Sequence, residues 1–492
     1  MKTGILKSKY VIVISIILFF VAGYFLGKSN KSEIIDHSLL SIKRQATQTI
    51  ASTMDFDTRK LVLMENPSLI GRIVEGASFG NKNFSVQAAQ NMFGEDEEAI
   101  EDIIDKTTIT MVAKNVWTIR LPIVNCSVIE TDEGLVLIDV GMKPAGPAVL
   151  KSIQSISKKK IHTIIYTHGH VDHSYGTWTL LDDGNKPRII AHENLPIRFN
   201  RYLELRGSLA KYMSQPIEQL PNDSTDIIWP TLLFHDELEI QIGEITFRLK
   251  HFEGETDDQF YVWMPGQEIV FAADYYQGFL PNAGNGKRIQ RNIGQWILAL
   301  RSMAELHPKI MVPSHGEVIF EGKAINNALN IHADALEYIQ DYTVAALNNG
   351  LRKDLIVDKF ELPGRFANHP LLKEQYVSAK DICKMVIRQY TGWWDDIPSH
   401  WSPASIDAQS ISIVELSGGM DQLIKYIENL IPIDLALASH FVDWAYYADP
   451  ENTVVHELAL LIYKKRILDE NSKTQEMLVY LDHMTEIRAK SR

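Results

Sequence analysis

The chain alternates short apolar runs with polar turns from about residue 107 to about residue 320. Many of these runs are rich in Val and Ile and about four to eight residues long, a pattern typical of buried β-strands. We predict strands over residues 115–120, 125–130, 135–140, 161–166, 188–191, 239–242, 245–251, 269–273 and 310–313. The middle of the chain is therefore expected to be rich in β-sheet.

Apolar residues at helical spacing predict a second set of elements. Helices are expected over residues 144–156 and 193–215, the latter as part of a substrate wall, and a core-facing helix over 289–306. From about residue 322 to the C-terminus the pattern is helical, with glycine and proline at the breaks. The order of the elements predicts an α/β domain followed by an all-helical domain.

One uncharged apolar run lies near the N-terminus, over residues 10–26, and three lysines precede it. A membrane-spanning helix needs roughly 17 to 25 such residues, and preceding basic residues stay in the cytoplasm. We predict an uncleaved signal anchor, with a cleaved signal peptide as the alternative. In both cases the body of the protein lies outside the cytoplasm, in the periplasm or the extracellular space, and cleavage near residue 24 would make it a secreted protein.

Composition limits the functions that the chain can have. With 492 residues, the chain is long enough for two or three domains. The formal net charge is −13 and the body of the chain has no basic run, which argues against nucleic-acid binding. The two cysteines, Cys126 and Cys383, are far apart and form no disulfide framework.

The strand predicted over residues 161–166 leads into Thr167-His168-Gly169-His170-Val171-Asp172-His173. In an extended segment His168 and His170 can point the same way, because side chains alternate with period two. Asp172 and His173 can then turn towards a second point nearby. One loop can thereby serve two metal ions a few ångströms apart, an arrangement that supports in-line displacement at an ester. Nitrogen and oxygen ligands without cysteine suit Zn²⁺, with Mn²⁺ or iron as alternatives.

This HxHxDH stretch resembles the signature of the metallo-β-lactamase superfamily. The resemblance implies an αββα sandwich with a one- or two-metal site at its edge. A predicted hairpin followed by Asp139-Val140-Gly141 is similar to the start of that fold, where Asp139 would orient a metal-bound histidine. Capping of the next turn is the alternative role of Asp139. Ser314-His315-Gly316 resembles the last ligand loop, with His315 as a ligand of the second metal.

Two carboxylates complete the ligand set that the resemblance implies. Glu255 stands in the loop where most of the superfamily has a histidine ligand, and alkylsulfatases of the superfamily carry a Glu there. Met264-Pro265 matches the turn that follows in those enzymes, while His251 is a rival ligand. Asp274 falls at the position of the carboxylate that bridges both metals, although alkylsulfatases usually have Glu there.

The same resemblance points to a substrate-binding loop. Asn282 and Lys287 fall where alkylsulfatases have an Asn and an Arg that hold the sulfate oxygens, and Arg288 is adjacent to Lys287. A cation is chemically sensible beside an anionic ester, but Lys lacks the bidentate fork of Arg. A solvated loop is the alternative for the Lys287-Arg288 pair.

The C-terminal region resembles the alkylsulfatase dimerisation domain. The resemblance lies in residues 386–395, with Trp393-Trp394, in residues 417–419 and in residues 440–452. It implies a homodimer. The sequence ends before the lipid-carrier-like domain that typical alkylsulfatases add, which weighs against capture of long-chain detergents.

The resemblance as a whole implies a binuclear zinc hydrolase with two Zn²⁺ per subunit, an alkyl sulfate as substrate, and Asp172 and Asp274 as the catalytic carboxylates. The implied ligands are His168, His170 and Glu255 for the first metal, Asp172, His173 and His315 for the second, and Asp274 as the bridge, while Asn282 and Lys287 hold the substrate. A lactone, β-lactam or phosphoester hydrolase is one alternative. A membrane-tethered dimer that binds metal or ligand without turnover is another.

These expectations divide the chain into five parts. They are a cytoplasmic region over residues 1–9, a signal anchor or signal peptide over 10–27, an N-terminal arm over 28–106, a metallo-β-lactamase-like catalytic domain over 107–321 and a helical dimerisation domain over 322–492.

Overall fold

Two β-sheets pack face to face in the computed structural model, which describes residues 56–78, 97–181, 184, 186–213 and 217–491. In this part of the chain the first sheet consists, in chain and spatial order, of β1 (Thr108–Ala113), β2 (Val116–Arg120), β3 (Asn125–Thr131), β4 (Gly134–Ile138), β5 (Ile161–Ile165), β6 (Arg188–His192) and β7 (Leu232–Phe234). The second sheet has the spatial order β12-β11-β10-β9-β8. Its strands are β8 (Glu237–Ile242), β9 (Ile245–His251), β10 (Phe260–Met264), β11 (Ile269–Ala273) and β12 (Ile310–Pro313).

Helices flank the sheets and form the C-terminal part of the chain. The described helices are α1 (Phe56–Glu65), α2 (Pro67–Ala77), α3 (Glu97–Lys106), α4 (Gly146–Ile156), α5 (Val171–Ser174), α6 (Leu195–Glu204), α7 (Arg206–Met213), α8 (Ile293–Glu305), α9 (Gly322–Asn348), α10 (Lys353–Asp358), α11 (Gly364–Ala367), α12 (Ala379–Tyr390), α13 (Ile406–Leu416), α14 (Met420–Leu430), α15 (Leu435–Ala448), α16 (Thr453–Leu468) and α17 (Thr474–Lys490).

The sheets combine antiparallel and parallel pairing. β1 to β4 form an antiparallel meander, whereas β4 to β7 are parallel. In the second sheet β8 to β11 are antiparallel and β12 lies parallel to β11. Parallel neighbours need a crossover connection, which α4 supplies between β4 and β5 and α8 supplies between β11 and β12. The carboxyl ends of each parallel pair therefore open at one edge of the sheet.

An apolar core fills the space between the sheets. Ile138 and Ile165 from the first sheet and Phe271 and Val312 from the second are all 3% exposed or less. The outer face of the first sheet packs against α4, and that of the second packs against α8 and α9. Strands covered on both faces are apolar on both faces, which explains their unbroken hydrophobic runs. The architecture is an αββα sandwich, as the family resemblance implies.

The helices after β12 confirm the predicted all-helical region. α14 to α17 enclose a core of their own, to which Ile427 and Ile462 belong. The N-terminal helices α1 and α2 join this core through Val62 and Leu69. α3 packs instead beside the first sheet, through Ile103. The described helices of the N-terminal arm therefore contact both the sandwich and the helical region.

Two predicted helices differ from the observed ones. α8 begins at Ile293 rather than at residue 289, because Asn292 caps it by accepting a hydrogen bond from the Gln295 amide at 3.2 Å. Ile289 precedes this cap and is 43% exposed, so it is no core residue. The helix predicted over residues 193–215 is divided into α6 and α7.

The N-terminal predictions fall outside the described residues. These are the cytoplasmic region over residues 1–9, the signal anchor or signal peptide over 10–27, and much of the arm over 28–106. Among the helices that the structure describes, none combines the length and the apolar character needed to cross a bilayer.

Candidate metal centre

The fold brings four loops to one edge of the sandwich. Asp139 follows β4, and the histidine loop that begins at His168 follows β5. Asp274 follows β11 and His315 follows β12. Asn125 joins the two sheet edges, since its side-chain amide donates to two carbonyls at the end of β12, each at 2.9 Å. The parallel strand pairs thus place residues that are distant in sequence around one point.

The loop after β5 is held by hydrogen bonds and by close packing. The backbone N–H and the hydroxyl of Thr167 both donate to the Asp139 carboxylate at 2.9 Å. The Tyr202 hydroxyl donates to the Gly169 carbonyl at 2.8 Å. A Cβ atom at Gly169 would lie 2.7 Å from Cδ of Arg198, so a glycine is needed at this point of the loop.

Six of the predicted ligands lie in two groups of three, and within each group the donor atoms are within 4.8 Å of one another. The groups are His168, His170 and Asp274, and Asp172, His173 and His315. Asp274 also links the groups, because its Oδ2 lies 3.8 Å from Nε2 of His168 and 3.4 Å from Nε2 of His315. This placement is compatible with a carboxylate shared by both groups.

Two of the imidazoles are oriented through the ring nitrogen that faces away from the ligand groups. Nδ1 of His173 donates to Oδ2 of Asp139 at 2.9 Å, and Nδ1 of His315 donates to the Ile123 carbonyl at 2.9 Å. Because a carboxylate and a carbonyl can only accept, these bonds leave Nε2 of each ring to face the site. Of the two roles that the sequence allows for Asp139, the geometry supports the orientation of His173.

Burial and charge set the protonation of the histidines. Burial lowers the pKa of His168 and His170 well below its ordinary value, which keeps both rings in the neutral form that binds metals. Burial also acts on His315, but Asp274 and neighbouring carboxylates outweigh it and raise the pKa of His315 to about 9. A proton on the His315 ring balances the negative charge of the buried carboxylates. A bound metal cation would supply positive charge in the same place.

The donor set fits a divalent metal. Among the described residues, Nε2 of His173 and Oδ1 of Asp274 are buried without a hydrogen-bond partner. Such atoms are costly to bury unless a ligand satisfies them. The groups contain imidazole and carboxylate donors and no thiol, since Cys126 and Cys383 lie elsewhere in the core. Zn²⁺ accepts this chemistry, as do Mn²⁺ and iron.

Glu255, the seventh predicted ligand, lies beside Asp274 but is held by other side chains. Its Oε1 accepts hydrogen bonds from Asn282 and Arg291, both at 2.7 Å, and its Oε2 accepts one from Gln277 at 2.9 Å. Burial raises the pKa of Glu255 to about 7, with Arg291 opposing the shift and Asp274 adding to it. Asn282, predicted to hold substrate, contacts Glu255 in this structure.

Lys287 points towards the helical region. Its ammonium lies 2.9 Å from Oδ2 of Asp482 on α17, whose other oxygen is 3.5 Å from Arg59 on α1. The three side chains form a partly buried ion cluster between elements far apart in sequence. The structure therefore does not bring Lys287 to the metal ligands, and the residue ties the sandwich to the helices.

Arg291 is a site residue that the sequence reasoning missed. Its guanidinium is fully buried against Glu255, and in the described part of the chain its Nε and Nη1 have no hydrogen-bond partner. Its positive charge also lowers the pKa of His170, after the larger effects of burial and of His168 and Arg198. The stretch Lys287-Arg288-Ile289-Gln290-Arg291 offers three cations, and spacing alone could not show which of them turns inwards.

Comparison with known proteins identifies both regions. Residues 119–315 match the Metallo-beta-lactamase superfamily, and residues 353–490 match the Alkyl sulfatase dimerisation family. A linear primary-alkylsulfatase from Pseudomonas sp. is 27% identical over 60% of this chain and 61% of its own length. An alkyl/aryl-sulfatase from Saccharomyces cerevisiae is 22% identical over 70% of this chain and 59% of its own.

A solved structure shares the fold. The stereoselective inverting sec-alkylsulfatase from Pseudomonas sp. superposes with a TM-score of 0.70 and 18% sequence identity, covering 84% of this chain and 70% of that one. The chain spans about three fifths of the length of the curated relatives it matches.

Proposed function

Because the chain joins a metallo-β-lactamase domain to an alkyl sulfatase dimerisation domain, we propose that it is a metal-dependent hydrolase of sulfuric esters. The expected reaction converts an alkyl sulfate to an alcohol and sulfate. The observation that carries this proposal is the buried guanidinium of Arg291, which lies against Glu255 and acts on the pKa of His170. Its Nε and Nη1 have no hydrogen-bond partner among the described residues, so they are available to an anionic ester. The alkylsulfatases among the relatives support the same substrate class.

The proposed metal content is two Zn²⁺ per subunit. His168, His170 and Glu255 would hold the first ion, Asp172, His173 and His315 the second, and Asp274 would bridge them. When bound, such ions lower the pKa of water and neutralise charge as the ester bond breaks. Glu255 would join the first ion by exchanging one of the donors that now hold it.

The side chains of the site have separable tasks in this proposal. Asp139 holds the ring of His173 in place, and Asp274 fixes the spacing of the two groups. Arg291 keeps Nη2 on Glu255 and offers Nε–H and Nη1–H, which lie on different edges of the guanidinium, so one of them donates to an oxygen of the sulfate group. Asn282 and Gln277 keep the Glu255 carboxylate turned towards Asp274.

Assembly and location remain part of the proposal. We expect a homodimer formed through the region over residues 353–490, and an N-terminal signal anchor that leaves the catalytic body outside the cytoplasm. Light scattering on the purified protein would measure the mass of the assembly, and membrane fractionation of cells that express the full chain would test the anchor.

The direct test of activity is sulfate release from octyl sulfate by the zinc-loaded protein, with Glu255→Ala as the comparison. Release by the wild type and its loss in the variant support the proposal. A zinc-loaded wild type that releases no sulfate contradicts it. That result would favour another ester, such as a phosphoester, lactone or β-lactam, and the turning of Lys287 towards Asp482 is the observation that keeps this second candidate open.

A further inference from the structure

A pocket beside the ligand groups carries more positive than negative side chains. It opens next to His170, and its charged lining includes Arg198, Arg201 and Arg288 along with Glu255 and Asp257. The whole chain has a formal net charge of −13, so a cluster of positively charged guanidinium groups contrasts with the negative charge of the chain. Cations concentrated in a cleft attract anionic ligands.

Both acidic side chains of this pocket already have cationic partners. The Arg198 guanidinium contacts the Asp257 carboxylate and lies 3.1 Å from Asp258. Arg291 lies 2.7 Å from Glu255. Arg198 is one cation against two carboxylates, so the charge of Asp257 also acts on Arg201, which lines the same pocket. Arg201 and Arg288 together still exceed the negative charge that remains there.

Arg201 and Arg288 form no ion pair with any carboxylate of the described residues. The contacts of the Arg288 guanidinium are long ones, to the carbonyls of Tyr212 at 3.4 Å and of Lys287 at 3.5 Å. Partial burial lowers the pKa of Arg201, and the positive charges of Arg198 and Arg288 lower it further, while Tyr202 and Asp257 oppose the shift. Two guanidinium groups therefore repel each other at one pocket, an arrangement that an anion would relieve.

The two arginines lie farther out than the metal ligands. His168 and Asp274 are almost fully buried, at 0% and 2% exposure, whereas Arg201 and Arg288 are partly exposed. The buried Arg291 is available for the ester's own anionic group. The outer pair therefore lies where the part of a substrate that extends away from the ester would pass, and Leu209 lines the same pocket.

We propose that Arg201 and Arg288 form a second anion subsite, and that the protein prefers alkyl sulfates with a carboxylate at the end of the chain opposite the ester. This inference rests on the proposed sulfate ester hydrolysis and specifies its substrate class. Charge-assisted hydrogen bonds to guanidinium groups are stronger than neutral ones, so the second anion should add measurably to binding.

The test compares two pairs of molecules that differ in one carboxylate. Octyl sulfate and the octanoate with a sulfate ester on its terminal carbon are compared by kcat/KM. The matching sulfonates, which lack the cleavable ester, are compared by calorimetric titration. Wild type, Arg201→Gln, Arg288→Gln and the double variant are measured, with Arg248→Gln as the control, since Arg248 lies on β9 and pairs with Glu239 at 2.6 Å.

We expect the wild type and Arg248→Gln to favour the carboxylated member about tenfold in both comparisons. Each single variant should lose several-fold of this preference, and the double variant should lose nearly all of it. Using a ratio within one protein cancels differences in folded fraction. Equal affinity of the wild type for the two sulfonates, or an intact preference in the double variant, would overturn the second subsite. If neither sulfate ester is cleaved, the proposed activity fails, while the sulfonate titration still decides the subsite.

Discussion

Oδ2 of Asp139 accepts a hydrogen bond from Nδ1 of His173 at 2.9 Å, and the same carboxylate accepts two hydrogen bonds from Thr167. Asp139 thereby fixes both ends of the histidine loop while its own side chain stays 1% exposed. A group that orients a metal ligand in this way also keeps the ligand's other nitrogen available to the metal.

Asp139→Asn should therefore weaken metal binding without unfolding the protein. The amide keeps the size of the carboxylate but loses its charge and cannot match all of its acceptor contacts. We expect zinc affinity to fall about 10- to 100-fold, the range found for partners of metal-bound histidines. Competition with a chromophoric chelator measures this, and Asp236→Asn, an exposed residue on the loop before β8, is the control. Unchanged zinc affinity would show that Asp139 only stabilises the histidine loop and does not support metal binding.

Asp172→Ala should separate the two ligand groups. Asp172 belongs to the group with His173 and His315, so its loss should reduce bound zinc from two ions per subunit to about one and remove most of the activity. Metal analysis by mass spectrometry and circular dichroism would show whether a metal is lost while the fold is retained. Full turnover by the variant would require a mechanism with a single metal.

Arg291→Lys should impair use of an anionic ester more than it impairs zinc binding. Lysine keeps the charge but lacks the planar guanidinium, so it cannot hold Glu255 through one nitrogen while another nitrogen donates to the sulfate group. We expect kcat/KM for octyl sulfate to fall at least tenfold, with both zinc ions retained. An Arg291→Lys variant with unaltered kinetics would remove Arg291 from the substrate site.

Lys287→Ala should change stability more than substrate affinity. The ammonium pairs with Asp482 at a partly buried junction, and its loss leaves that carboxylate with less compensation. We expect the free energy of unfolding to fall by about 1 kcal/mol or more, seen as a lower Tm, with a KM for octyl sulfate close to that of wild type. A raised KM at unaltered Tm would return Lys287 to the substrate-binding role that the family resemblance implies.

Removing the metals should destabilise the sandwich. A ligand that binds the folded state at about 100 times its Kd adds about 2.7 kcal/mol to the free energy of unfolding. Chelator should therefore lower the Tm of the wild type, and added zinc should restore it. Asp274→Ala, which loses the residue that touches both groups, should respond much less. A wild-type Tm that chelator leaves unaltered would contradict a metal site in the folded protein.

The fold was largely predictable because its strands are short and apolar and its turns are polar. Local sequence patterns predicted the strand and loop at residues 161–173 and the final loop Ser314-His315-Gly316. The structure contains these elements at the predicted positions. β1, β7 and β10 were not predicted. Burial alone does not explain the miss of β10, because β4 and β11 are buried throughout as well and were predicted; β10 differs in that three of its five residues are aromatic and only one is β-branched. The start of α8 was misplaced because a single capping residue, Asn292, decided it.

The site residues were predictable where the backbone alone brings them to the site. They were harder to predict where the direction of the side chain decides whether the residue reaches the site. The histidines follow strand ends, so the sheet positions them. Asn282, Lys287 and Arg291 lie in the segment between β11 and α8, where each side chain could turn either way. The three side chains turn towards Glu255 or Asp482, which are far away in sequence. Sequence spacing does not reveal such partners.

The central claim is that two groups of side chains hold two metal ions with Asp274 between them. Anomalous diffraction at the zinc edge from crystals of the zinc-loaded protein tests it most directly. We expect two peaks in each subunit, one contacted by His168 and His170 and the other by His173 and His315, with the Asp274 carboxylate reaching both. A single peak, or zinc bound away from these side chains, would contradict the claim.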